Sequence, residues 1–573
     1  MSVESSSLSG GEAPAAILSG LDIAVTVAYV VGVVALGCWA GLRHRRGGGE
    51  AKEYFLAGGT LRWPVIGLAL FATNISCVHL VSLAQSGFDT GLLNGNFEWM
   101  AAFTLVLLGL FFAPFYIRSG VATLPDFLER RYNRACRDWL AVLSIVSAVT
   151  IHIGFSFLTG GIVLAELFDI NMYTGIIVVA ALTGLYTIIG GLMAVVITEA
   201  IQTIVLVLGA AVITYFAWDK MGGWNAMTEV LEGEDQLSKL SMLRDHGDAD
   251  GLPWYAVFLG YPVLGIWYWC ADQTIVQRVL GAKDEQHARV GPLFAGLIKI
   301  LPVFIFVLPG LFAYTLVQSG GLDVSSLTSV NESGESVVDS KGIYGVMITQ
   351  LLPQGLIGLM VAALLAALMS TVAGALNSIS TLFSYDLYKR FRPQASDHQL
   401  VLVGRLTAGI ALLLAIGLVP LLNGYPSIFN GLNDIIAHIA PPITCVFMLG
   451  VFWPKASATS AKLTLWFGSA LGAVVYALGK IDPGAMRADN VLFKFLANTP
   501  FMMMAFYLLC VCVAMQVTFT CIWPAGERER NSKLYWSHPL DPLKDKGWPG
   551  IGNYKFLSLL LIGIMAILYY IFT

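Results

Sequence analysis

Gly265-Ile266-Trp267-Tyr268-Trp269-Cys270-Ala271-Asp272-Gln273-Thr274-Ile275-Val276-Gln277-Arg278 stands in the middle of a segment that is otherwise apolar enough to cross a membrane. It sets three aromatics, a carboxylate and two amides shortly after Gly260 and Pro262, residues that weaken a helix. Lipid does not tolerate such a cluster, because each unsatisfied polar group in hydrocarbon costs several kcal/mol. The cluster therefore faces a cavity, another helix or an ion, which marks it as the place to look for function.

The chain around it has 573 residues, of which 57% are hydrophobic and only 12% charged. Its mean hydropathy is +0.73. A soluble chain of this length carries about twice that charged fraction, so the composition defines an all-α, polytopic membrane protein in a lipid bilayer. The net charge of −4 gives no footing for nucleic acid. Cys38, Cys77, Cys136, Cys270, Cys445, Cys510, Cys512 and Cys521 lie in apolar runs or beside basic loops, with no CxxC pair and no ligand-spaced histidines. Disulfide and metal-centre readings are accordingly weak. No nucleophile set or phosphate-binding Gly-Lys-Ser/Thr loop supports an enzyme or an ATP-driven pump.

Runs long enough to span a bilayer lie near 21–42, 63–88, 98–117, 138–167, 172–190, 193–217, 253–277, 291–318, 343–384, 399–421, 427–453, 460–479, 496–523 and 553–572, about fourteen in all. The run at 343–384 reads as one long helix plus its approach. Leu21 to Leu42 has no basic residue before it and Arg43, Arg45 and Arg46 just after it, the reverse of a signal peptide. If every run crosses, the loops rich in lysine and arginine all fall on one side. The acidic loop from Trp218 to Leu252 falls on the other, which puts both termini extracellular or periplasmic in a plasma (inner) membrane.

Residues 62–217 and 253–453 each hold five spans, and an odd number inverts the second set relative to the first. This divides the chain into an N-terminal part (1–61), two inverted repeats (62–217 and 253–453) and flanking helices (454–573). The first helix of each repeat is interrupted, at Ala72-Thr73-Asn74-Ile75-Ser76 and between Gly260 and Gly265. Paired interruptions in matching helices point to a transport site at the midplane. The stretch Gly526 to Asn553 reads as a cytoplasmic loop.

These pieces resemble the sodium/solute symporter family, and within it the sodium/glucose cotransporter branch. The resemblance runs from about residue 20 to 530. It rests on Ala72-Thr73-Asn74-Ile75-Ser76, Phe97-Glu98-Trp99, Gly190-Gly191-Leu192-Met193-Ala194-Val195, Trp267-Tyr268-Trp269-Cys270 with Asp272-Gln273 and Val276-Gln277-Arg278, and Leu376-Asn377-Ser378, in that order. It implies a LeuT-type fold and sodium-coupled uptake by alternating access. A sugar sensor on the same fold is the competing class, disfavoured by the lack of a fused signalling domain after Tyr569; a passive channel is a third.

Ser370 and Thr371 follow Ala367 by three and four residues and so share a helix face with it. On these residues alone, back-bonding hydroxyls are the simpler account. The resemblance implies instead a Na+ site made of the Ala72, Ile75 and Ala367 carbonyls with the Ser370 and Thr371 hydroxyls. Relatives with a second sodium use hydroxyls at positions that are Ala373 and Gly374 here, and a carboxylate that is Glu199, so one Na+ per sugar is expected. Glu199 reads equally well as a water-facing charge at a helix end.

For the solute, the resemblance implies Asn74, His79, Glu98, Tyr268, Trp269, Lys299 and Asn433. Glu98 and Lys299 are isolated charges in apolar runs, which argues for pairing or for lining a cavity. Of the three aromatics, at most two can line one cavity, and Trp267 is assigned to packing. Asn433 stands where glucose carriers place glutamine, and Gly265 where relatives carry a side chain. Both changes are expected to enlarge or reshape the pocket. A hexose of the glucose or galactose kind is the first expectation, with myo-inositol, another polyol or sialic acid next. The oligomeric state is not readable.

Overall fold

The computed structural model describes residues 18–44, 50–168, 170–247, 252–330, 336–423, 428–480, 495–496, 498–527, 529, 534–538 and 540–573. Long apolar runs leave the helix as the way to pair every backbone group inside lipid, and helices account for nearly all regular structure here. The strands described are a three-residue antiparallel pair, Thr328–Val330 with Ser336–Val338, in a connecting loop. Among the described residues, eleven continuous helical stretches are long and apolar enough to cross a membrane.

The difference from the expected spans has local causes. The runs at 172–190 and 193–217 are joined in one helical stretch, Met172–Met221, which turns at Gly191 with φ 63° and ψ −158°. That conformation is open essentially to glycine alone. A Cβ there would also collide with the Tyr54 carbonyl. Gly191→Ala is therefore expected to destabilise the fold by more than about 2 kcal/mol, read as a lower thermal unfolding midpoint of purified protein.

The elements around the site are α1 (Gly20–His44), α2 (Trp63–Asn74), α3 (Cys77–Thr90), α4 (Asn96–Leu107), α5 (Met172–Met221), α6 (Trp254–Ile266), α7 (Gln273–Leu280), α8 (Glu285–Ile298), α9 (Leu308–Gln318), α10 (Leu356–Leu382), α11 (Ile428–Phe452) and α12 (Phe501–Ile522). The run at 343–384 divides as expected, into a short approach helix, Ile343–Leu351, and α10. α10 is the central post: its side chains are buried almost from end to end, and α5 packs along it. α3 and α9 approach so closely that a Cβ on Gly87 or Gly310 would strike the other helix's backbone. The described residues of the loop after Gly526 lie against the bundle. Trp536 donates to the Val451 and Phe111 carbonyls, and Asp545 pairs with Arg118 and Arg289 at 3.0 Å each.

Both helix interruptions are present, and the second lies elsewhere than expected. α2 ends at Asn74; Ile75 and Ser76 are extended, and Ser76 opens α3 with a capping box completed by His79. α6, by contrast, runs unbroken through Gly260 and Pro262, widens into a π turn at Trp267–Ala271 and breaks only at Asp272. Pro262 is absorbed without a break, and Gly260 serves packing, since a side chain there would strike the Met502 carbonyl of α12. Asp272 ends the helix because its carboxylate accepts the Ile275 N–H at 3.3 Å and caps α7 instead.

Candidate functional site

The two breaks meet at a polar cavity of about 780 Å³, mouth included, walled by α2, α3, α4, α6, α10, α11 and the helix at Phe155–Phe168. Its floor is a charge pair set by helix ends. Glu98 sits in the first turn of α4, and Lys299 is the cap residue at the C-terminus of α8. Those are the ends whose partial charges favour a carboxylate and an ammonium respectively. The two side chains, 1% exposed each, form a salt bridge. Lys299 also donates to Asn74 Oδ1 at 2.5 Å, and Asn74 Nδ2 donates to the Tyr268 hydroxyl at 3.1 Å. One relay thus links Glu98, Lys299, Asn74 and Tyr268 across four helices.

The other expected solute residues gather on this relay. His79 Nε2 lies 3.9 Å from Glu98, while its Nδ1 is held by the Ser76 cap. The Lys299 ammonium stands 5.6 Å over the Trp269 ring. Glu98, His79, Asn74, Tyr268, Trp269 and Asn433 line the cavity, whereas Lys299 stands behind it, reaching the lining through its partners.

Two readings of the sequence are corrected here. Trp267, assigned to packing, lines the cavity together with Tyr268 and Trp269, because the π turn changes the angular spacing that an α-helix would impose on three consecutive residues. Gly265 lines the cavity without enlarging it, since a Cβ there would meet the Tyr261 ring at 2.6 Å and Thr104 at 2.9 Å. Tyr261, whose hydroxyl donates to the Phe97 carbonyl at 3.0 Å, occupies that space.

His152 was not singled out from the sequence. It lines the cavity, 4% exposed, with Nε2 3.3 Å from Asp272 and its ring 5.8 Å from Tyr268. The available signal was a lone histidine in an apolar run, which by itself does not separate a lining residue from a packed one.

Beside the α2 break oxygens converge, and one of the residues that carry them, Thr371, also lines the cavity. The Ser370 hydroxyl is 2.9 Å from the Ala72 carbonyl and 3.0 Å from that of Ala367, and the Thr371 hydroxyl is 3.2 Å from the Thr73 carbonyl. Ala72, Ala367, Ser370 and Thr371 are therefore together. Ile75 lies in the extended link just beyond, and it is the Thr73 carbonyl that the Thr371 hydroxyl reaches. Neutral oxygens at the C-terminal end of a half-helix are chemistry for a hard monovalent cation.

Glu199 is not water-facing. It is fully buried, accepts the Thr73 hydroxyl at 2.7 Å and pairs with Arg278 Nη2 at 2.5 Å. A side chain on Gly374 would collide with that guanidinium, so glycine there is what lets Arg278 reach α5. Thr73 thus touches Thr371 with its carbonyl and Glu199 with its hydroxyl. Arg278→Met is expected to destabilise the protein by about 3–5 kcal/mol, because it leaves a buried carboxylate without its counter-charge. Adding Glu199→Gln should restore part of that loss, measured as a double-mutant cycle of unfolding midpoints.

A bundle of apolar helices in which two broken helices meet at a buried polar cavity is the architecture of a secondary transporter. The pattern of the sodium:solute symporter family matches residues 54–468. The sodium/glucose cotransporter 1 of Sus scrofa is 34% identical over 477 residues, spanning 80% of this chain and 72% of that protein. The sodium/mannose cotransporter of Bos taurus is also 34% identical, over 84% of this chain and 83% of its own. Among solved structures, a Na+-coupled sialic acid symporter in a substrate-bound outward-open state superimposes with a TM-score of 0.74 at 21% identity, covering 89% of this chain and 99% of that one.

The fold is LeuT-type. The chain belongs to the sodium:solute symporter family. It is a multi-pass membrane transporter, not an enzyme, and Na+ is its coupling ion.

Proposed function

We propose that this chain imports a hexose of the glucose type together with one Na+, across a plasma (inner) membrane with both termini outside. In this reading 62–217 and 253–453 are the inverted repeats. One observation supports it: three successive residues at one helix break face both candidate sites. The Ala72 and Thr73 carbonyls face the α10 hydroxyls, and Asn74, next in the chain, bonds Tyr268 and Lys299 in the cavity.

Sodium is held by the carbonyls of Ala72, Ile75 and Ala367 and the hydroxyls of Ser370 and Thr371, with Thr73 beside them. Binding fixes the end of α2 and so fixes Asn74, which completes the solute site. Asn74, His79, Glu98, Lys299 and Asn433 supply the donors and acceptors that sugar hydroxyls need, Lys299 through the relay. Tyr268 and Trp269 offer aromatic faces to the C–H surface of the ring. Rocking then exposes both ligands to the cytoplasm as Tyr268 moves aside. Coupling is reciprocal: sodium raises sugar affinity by the factor by which sugar raises sodium affinity. With about 2.3 kcal/mol per charge per 100 mV and about 1.4 kcal/mol per tenfold gradient, one ion sustains a roughly several-hundred-fold solute gradient.

Close relatives carry glucose or mannose in their names, and the hexose reading is tested by competition. Sodium-dependent uptake of labelled glucose should be displaced by glucose and galactose, and far less by myo-inositol or sialic acid. Displacement by inositol or sialic acid alone would reassign the solute and leave the sodium site standing.

A further inference from the structure

The hexose reading draws its contacts from α2, α3, α4, α8, α11 and the π turn at Trp267–Ala271, and it leaves one wall of the cavity unused. That wall begins with a π turn at Ala148–Gly154 and continues as the helix Phe155–Phe168. Its polar lining residues are His152 and Ser156. A pyranose carries hydroxyls around its whole rim. A pocket that reads it from one side only would leave hydroxyls desolvated and unpaired, which costs affinity.

The surroundings of His152 prepare it for such a hydroxyl. Asp272 divides its carboxylate: Oδ1 accepts the Ile275 N–H that caps α7, and Oδ2 is 3.3 Å from His152 Nε2. A carboxylate only accepts, so the Nε2 proton is assigned from this bond, and in the neutral ring Nδ1 is left as an acceptor. Among the described residues, Asp272 is the only hydrogen-bond partner of His152. Asp272 itself is buried and is not part of the lining. The arrangement repeats that of the cavity floor, where a buried charge, Lys299, stands behind a lining amide, Asn74, and orients it. His152 touches that relay through the Tyr268 ring, 5.8 Å from the imidazole, and not through a hydrogen bond.

We propose that His152 is a further solute-binding residue, whose Nδ1 accepts one hydroxyl of the sugar, and that Asp272 positions it by fixing the tautomer. The proposal rests on the hexose reading and adds a specificity contact to it. An imidazole that merely ties two helices together weakens all sugars alike when it is removed. One that accepts a hydroxyl singles out the analogue lacking that hydroxyl.

The test uses the full-length protein in proteoliposomes, with labelled glucose competed by glucose analogues that each lack one hydroxyl. In the parent, one analogue should compete at least about tenfold less well than glucose because it leaves Nδ1 unpaired. His152→Gln keeps a donor near the Nε2 position for Asp272 and removes Nδ1. In that variant glucose should weaken by about tenfold and the handicap of that one analogue should vanish, the others keeping theirs. Half-saturating sodium, read without solute from the shift of the unfolding midpoint, should stay within about twofold of the parent. His152→Asn, whose amide oxygen falls near the place of Nδ1, should recover part of the discrimination. Parental ratios to glucose for every analogue in His152→Gln overturn the proposal and leave His152 a structural tie. A sodium affinity weakened as much as the solute affinity overturns it as well. Should the glutamine variant not fold, His152→Phe carries the same prediction, and parental ratios there overturn it equally. Failure of the hexose reading has a different signature, a parent protein that takes up no glucose, seen before any variant is made.

Discussion

Ser370→Ala combined with Thr371→Ala is expected to raise half-saturating sodium by at least about 100-fold, so that no sodium-dependent uptake remains at physiological concentrations. The two hydroxyls face carbonyls from two different helices, Ala72 and Thr73 on α2 and Ala367 on α10. Removing them takes away two of the expected oxygen ligands, and a loss of about 1.4 kcal/mol from each is a factor of ten apiece. The hydroxyls also hold the end of α2 against α10, so the solute site should loosen with the cation site. Solute affinity in the double variant is then expected to become independent of sodium. Thr371→Ser keeps an oxygen and should stay within a few-fold of the parent. A double variant with parental sodium activation would place the ion elsewhere.

Glu98→Gln is the second large effect. The Lys299 ammonium would lose its counter-charge while remaining buried, a change that typically costs about 3–5 kcal/mol. Lys299 is also what holds Asn74 Oδ1, and Asn74 holds the Tyr268 hydroxyl, so the relay fails at each step. Uptake should fall below detection, and solute should no longer change the emission of Trp267 and Trp269 at the cavity wall. Sodium should still raise the unfolding midpoint, because the Ser370 and Thr371 hydroxyls bond the Ala72, Thr73 and Ala367 carbonyls and not the Glu98–Lys299 pair. The neutral pair Glu98→Gln with Lys299→Met separates structure from recognition. It is expected to recover stability without transport; recovery of transport as well would make the pair purely structural.

The sequence was most informative where chemistry and spacing act within one helix. Asn74 and its neighbours interrupt an apolar run, and α2 does end there. Glu98 and Lys299 are charges with no local partner, and they find each other across 201 positions. Long apolar runs located the membrane helices, although the pattern did not show that the pair of runs after Asn171 is joined through Gly191.

What stayed hidden depends on three-dimensional neighbours. Gly260 and Pro262 looked like the second break because both weaken a helix, yet α12 leans on Gly260 and the π turn absorbs the irregularity until Asp272 caps α7. Gly265 suggested an enlarged or reshaped pocket, and only the structure shows that the Tyr261 ring takes up the space beside it. Glu199 read equally well as a water-facing charge, and nothing in the sequence tied it to Arg278, 79 residues away; their pairing requires α5 and α7 to pass Gly374 at the same level. His152 gave no signal beyond being a histidine in an apolar run.

The most direct measurement is accumulation of labelled glucose in proteoliposomes under an inward sodium gradient with the inside held negative. The account predicts a transient internal concentration well above the external one, which vanishes when choline replaces sodium or when the gradient is collapsed. Uptake that never rises above equilibrium, at the same rate with and without sodium, would contradict coupled transport and make the protein a facilitator.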